Sequence, residues 1–288
     1  AVMLPSPQSM CFVLNIAGLA RARAGLSHST VVIREFSRRS WPTTRPRQGF
    51  NLLQRPNSAV FPQKFQQIAT TLRMSGGTGP LVSTTPEDVI SFWFGDKAND
   101  PEALSSGDYI KAMGKRWFMS SPEFDKEVQD KFADVIRAAA EGRVGEAWEG
   151  KKGRLARVIL FDQLSRNAFR GTPEAFKYDD AAVELARSAV KEDLSATSIS
   201  EVQFLLMPLM HSESLQDQDA LVRKLDERGA VGGADVIAPI RDFADAHRVV
   251  IQRFGRFPHR NAKFGRETTA EETEWLNSPD CPGWAKSQ

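Results

Sequence analysis

Residues 155–164 read LARVILFDQL and residues 202–210 read VQFLLMPLM. Both stretches are apolar on most faces, and a helix without a polar stripe belongs inside a protein. They are the expected central pair of helices. The segments around them are amphipathic at helical spacing. Phe124, Val128, Phe132, Val135, Ile136 and Ala139 share one face. Val236, Ile240, Phe243, Val250, Ile251 and Phe254 share another, and His247 falls on that same face.

Helix starts are marked by their caps. Thr85-Pro86-Glu87, Ser121-Pro122-Glu123 and Thr172-Pro173-Glu174 each offer an N-cap side chain, a proline in the first turn and an acid at the positive end of the helix dipole. Ser200-Glu201 and Thr269-Ala270-Glu271-Glu272 are further starts, and Gly233 precedes a long helix expected to end near Phe254. No period-two pattern appears. Residues 85–277 therefore read as one all-α domain of antiparallel helical hairpins, with residues 278–288 as a short C-terminal tail.

Charge separates this domain from the segment before it. Residues 1–86 hold ten Lys or Arg against the single acid Glu35, a charge of +9; the whole chain is +2, which leaves −7 on residues 87–288. Residues 1–84 are rich in Arg, Ser and Thr, the composition of a disordered targeting presequence and linker. A mitochondrial or plastid destination is expected, or a cytoplasmic one if translation starts at Met74. The apolar run 10–20 is eleven residues long, against about 20 for a membrane span. A net-negative domain excludes bulk nucleic-acid binding, which needs a basic footprint. The cysteines, Cys11 and Cys281, offer neither a disulfide framework nor spaced metal ligands.

Polar groups gather where the central helices end. Asp162 and Arg166 stand one helical turn apart and can pair; Asn167 and Arg170 come next. His211 and Glu213 close the second central helix. They are two residues apart and so do not share a helical face, which argues against a metal pair. Residues 253–266, RFGRFPHRNAKFGR, form an acid-free loop carrying Arg253, Arg256, His259, Arg260, Asn261, Lys263 and Arg266. Guanidinium groups fork onto carboxylate or phosphate, so this loop suits an anion. Fixing the loop through backbone carbonyls is the competing use of the same arginines. His247 reads first as a hydrogen-bonded core histidine and second as a ligand-binding residue.

Four blocks carry a resemblance: VISFWFG, RVILFDQLSRNAFRGTPEAF, LLMPLMHSESLQDQ and QRFGRFPHRNAKFGRETTAEETEWL. In that order they resemble the signature segments of the bacterial "domain of unknown function 924" family. The resemblance covers residues 85–277 and implies a helical fold like that of tetratricopeptide-repeat domains. It implies no activity. Leu164 and Ser165 stand where the family pattern has Phe and Pro.

Two functions of different class are expected from these residues. The first is a helical scaffold binding a small anion or an acidic peptide end through Arg166, Asn167, Arg170, His247, Arg253, Arg256, His259, Arg260 and Asn261. The second is a hydrolase-type enzyme with Asp162, His211, Glu213 and His259 as acid–base candidates. Neither calls for a cofactor or a metal.

Overall fold

The computed structural model describes residues 80–119 and 121–286. The targeting expectations for residues 1–79 lie outside the described residues. Among the described residues every regular element is helical. In chain order these are α1 (Pro86–Phe94), α2 (Gly107–Phe118), α3 (Pro122–Ala140), α4 (Gly150–Val158), a π turn (Ile159–Leu164), α5 (Ser165–Ala168) and α6 (Asp179–Val190). Next come α7 (Ile199–His211), α8 (Leu215–Ala230), α9 (Ala234–Phe254), α10 (Ala270–Asn277) and α11 (Gly283–Lys286). None of these helices is long and apolar enough to cross a membrane.

Caps place the starts. Thr85 and Thr269 each close a reciprocal capping box, with Asp88 and Glu272 as the answering acids, and Ser121 caps α3. The start of α7 differs from expectation. Ser198, not Ser200, is its N-cap, because Glu201 answers Ser198 at the third helical position. Ser200 instead points into the core and donates to the carbonyl of Leu104. Thr172-Pro173-Glu174 also departs from its expected role. It opens only a short 3-10 turn, Pro173–Phe176, and α6 begins at Asp179. Glu174 is drawn off there into an ion pair with Arg137.

Packing centres on α7. From Val202 to Met210 every residue is buried, and α4, α6, α8, α9 and the π turn all lie against it. The Phe204 ring sits 5.2 Å from Trp93, 5.8 Å from Phe94 and 4.8 Å from Trp117. Those edge-to-face contacts tie α1 and α2 to α7. The other apolar rod, α4 with the π turn, buries Leu155, Ala156, Val158, Ile159, Leu160, Phe161 and Leu164. No side chain within residues 155–164 or 202–210 is exposed, which is the burial that their composition announces.

Packing also continues beyond residue 277. A second apolar cluster joins Val250, Ile251, Phe257 and Trp275 to Cys281, Trp284 and Ala285. The expected tail is thus folded against α9 as far as α11. Its anchor is Trp284, whose ring stacks on His247 at 3.8 Å.

The π turn is the one break in regular helix inside the central rods. The Ser165 amide bonds back to Leu160 O, five residues away, rather than to Phe161 O. Ser165 Oγ takes up Phe161 O at 2.7 Å instead. The hydroxyl is fully buried. Removing it leaves a buried carbonyl short of a partner, so Ser165→Ala is expected to destabilise the fold by about 1–2 kcal/mol. Urea denaturation measures this; an unchanged midpoint and slope would show that the hydroxyl is not what supports the register.

Candidate functional site

A π register inserts an extra residue per turn and rotates the residues after it. Here it delivers Asp162 toward the C-terminal end of α7. Asp162 is 1% exposed and fully engaged. Its Oδ1 lies 2.8 Å from His211 Nδ1 and 3.6 Å from Arg166 Nη2. Its Oδ2 accepts from Gln163 Nε2 at 2.6 Å. Burial alone would raise this carboxyl. His211, Arg166 and Gln163 outweigh burial and hold it down to about 2.

Arg166 bridges two carboxylates. The same Nη2 donates to Asp179 Oδ1 at 2.9 Å, and the guanidinium lies 4.7 Å over the Phe176 ring. Asp179 is pushed the other way from Asp162: burial raises its carboxyl, against the pull of Arg166. Lys263 Nζ lies 4.9 Å from the same Phe176 ring. Partial burial, then Arg260 and Arg166, push the Lys263 ammonium down.

Arg260 closes the cluster from the loop after α9. Gly255, at φ 69°, ends α9 in the left-handed conformation and turns the chain, and the 3-10 turn Pro258–Arg260 then brings the guanidinium back. Arg260 Nη1 donates to the backbone carbonyl of His211 at 2.9 Å, and the guanidinium stacks 4.8 Å over Phe257. It makes no ion pair with a carboxylate among the described residues. Burial, then Arg166, pushes it down to about 10, so it stays charged at neutral pH.

Other expected site residues are placed elsewhere. Asn167 and Arg170 both bond Asp125, latching α5 to α3. Arg253 pairs with Glu271 and Arg256 with Glu272, pinning the loop to α10. Asn261 donates to Glu272 and Thr268. Glu213 is clamped by both terminal nitrogens of Arg266 and accepts from the Phe257 amide, so it orders the loop. These arginines fix the loop chiefly through the carboxylates of Glu271, Glu272 and Glu213, with the backbone carbonyls of the competing expectation met only from Arg256 to Glu267 and from Arg266 to Phe257.

His247 has the role of a core histidine. Its Nδ1 bonds the Phe243 carbonyl at 2.9 Å, and burial pushes it down to about 3. His259 lies beside the cluster with its ring 5.5 Å from Phe257 and 5.4 Å from Trp284. Burial, then Arg260 and Lys263, push it down to about 3 as well. Both are neutral at physiological pH. No group of three or more His, Cys, Asp or Glu among the described residues is arranged to hold a metal ion.

Asp162, Arg166, His211 and Arg260 are thus brought together. Asp179 and Phe176 join them without having been singled out in the sequence. Asp179 looks like an ordinary first-turn acid of α6, and nothing local ties it to Arg166, thirteen residues earlier.

The family model described as "Bacterial protein of unknown function (DUF924)" matches residues 89–280. The solved structure of a protein of unknown function, ATU0120 from Agrobacterium tumefaciens, is similar to this chain at 32% identity. The similarity covers 67% of this chain and 96% of that one, with a TM-score of 0.51. No curated protein matches the chain.

Proposed function

This chain belongs to the DUF924 family, and on that premise we propose that its helical domain binds a small phosphate- or carboxylate-bearing anion at the cluster of Arg260, Arg166, Lys263 and His211. The observation that carries the proposal is Arg260. The Arg260 guanidinium is half-buried, and a guanidinium partly withdrawn from water favours a counter-charge or a full set of hydrogen bonds. Arg260 has one backbone carbonyl and one aromatic face, and among the charges around it Arg166 acts most strongly, with Asp179, Glu213 and Asp162 opposing. The carboxylates nearby are already committed: Asp162 to His211 and Gln163, Asp179 to Arg166, and Glu213 to Arg266. An oxyanion between the guanidinium groups relieves their mutual repulsion and accepts their unused donors.

The test is a thermal-shift titration with phosphate, sulfate and small carboxylates. An anion at a hundred times its dissociation constant stabilises by about 2.7 kcal/mol. For a domain of this size that raises Tm by roughly 5–10 °C. Sulfate and phosphate also stabilise proteins by exclusion from their surfaces, so variants decide the matter. Arg260→Ala is expected to lose the saturable part of the shift. Arg253→Ala, which loses an exposed pair with Glu271 and a contact with the Phe254 ring, is expected to keep it. Equal shifts in wild type and Arg260→Ala would remove the proposal.

A further inference from the structure

We infer that His211 is the proton carrier of the proposed anion site, so that an anion enters together with about one proton. This rests on the anion-binding proposal and adds to it the protonation state in which the site is competent.

The imidazole tautomer is fixed by its neighbour. His211 Nδ1 lies 2.8 Å from Oδ1 of the buried Asp162 carboxylate, which Arg166 also approaches at that oxygen and Gln163 bonds at the other. An ionised carboxylate only accepts hydrogen bonds, so Nδ1 must carry the hydrogen. In the neutral ring Nε2 then bears a lone pair. Nε2 makes no hydrogen bond among the described residues and is not one of their buried, unsatisfied side-chain atoms. The side chain keeps 24% of its surface exposed. The open end of the imidazole is therefore an acceptor when neutral and a donor when protonated.

Position makes that distinction matter. The carbonyl of His211 is the acceptor that holds Arg260, so ring and guanidinium converge on the same end of α7. An oxyanion held by Arg260 meets a repelling lone pair if His211 is neutral. If His211 is protonated, it meets a charge-assisted N–H donor, about twice as strong as a neutral one. The bound anion thus selects the imidazolium. The proton comes from solvent onto Nε2, and no covalent bond between heavy atoms forms or breaks.

Charged and titratable groups on every neighbouring element set the balance. Asp162 in the π turn and Asp179 at the start of α6 are the acids that face it. Arg166 of α5, Arg260 and His259 of the turn after α9, Lys263 just beyond that turn, and His247 of α9 also face this region. Of these, the two arginines and Lys263 carry positive charge. Glu213, just past α7, is neutralised by Arg266. An added anion offsets the arginines, which is why proton and anion enter together. Burial raises the Asp179 carboxyl, and a variant separates its contribution.

Isothermal titration calorimetry of the full chain tests this, with sulfate and with oxalate as probes. Both are fully ionised from about pH 6 to about pH 8, where histidine titrates, and so bring no proton of their own. Titrations at one pH in two buffers of different ionisation enthalpy read the proton uptake directly and need no variant. About one proton is expected on the high-pH side, with affinity falling about tenfold per pH unit there. His211→Gln keeps an N–H donor and is expected to bind the probe with little pH dependence. Asp179→Asn is expected to keep the wild-type slope. Binding without proton uptake, or a wild-type slope surviving in His211→Gln, overturns the inference and leaves the anion site standing. No saturable binding of either probe at any pH removes the anion site and the inference together.

Discussion

Asp162→Ala is expected to destabilise the domain by about 3–5 kcal/mol, the range for removing one partner from a buried, hydrogen-bonded charge network. Three groups lose their acceptor at once: His211 Nδ1, Gln163 Nε2 and the second contact of Arg166. The site is too deep for water to replace the carboxylate freely, since Asp162 is 1% exposed. The effect has a pH signature. The Asp162 carboxyl is held at about 2 in the folded state against an ordinary 3.8. A depressed carboxylate contributes its full stability above the unfolded value and loses it as pH falls through the folded one. The gap between wild type and variant should therefore be complete at neutral pH and shrink below pH 3.8. Urea denaturation at neutral pH and near pH 3 measures both parts. A neutral-pH loss under about 1 kcal/mol, the size of an exposed pair, would mean that the network is not the support of this end of the fold.

Gly153→Ala sets two effects against each other, and their sizes decide the sign. By helix propensity alone, alanine inside α4 should stabilise by about 1 kcal/mol. The tertiary structure opposes this. A Cβ at position 153 would lie 1.9 Å from the carbonyl oxygen of Trp148 and 2.1 Å from its carbon. These are backbone atoms of a turn whose Trp148 side chain is 2% exposed and locked in the core, so they cannot swing aside as a surface side chain does. Overpacking costs about 1–3 kcal/mol, and a contact this short with fixed backbone belongs at the upper end of that range, which exceeds the propensity gain. The variant is expected to melt well below wild type. A variant that melts at or above wild type would show that the turn before α4 yields.

The helical architecture was legible because its instructions are local. Thr85 with Asp88 and Thr269 with Glu272 are three residues apart, and their hydrogen bonds form wherever those residues sit at a helix start. The two apolar rods announced their burial by composition. His247 announced a core position by sharing the apolar face of α9. The site was legible only in part. Asp162 and Arg166 could be paired from spacing, but Asp179, which takes the shorter bond to Arg166, could not. Most arginines of the loop 253–266 looked free in the sequence because their acids lie on other elements. Arg266 and Glu213 are 53 residues apart, and Arg256 and Glu272 are 16.

The amino-acid order alone therefore determined where α1, α3, α9 and α10 begin, which helices are interior, and that guanidinium and imidazole groups collect near the ends of the interior pair. Tertiary structure alone decided which guanidinium is spent on which carboxylate, leaving Arg260 without an ion-paired acid among the described residues, and where the π turn falls. The physical reason is range. Capping and apolar periodicity act over one or two helical turns, whereas a charge chooses its partner by distance through space, and that distance exists only once the rods have packed.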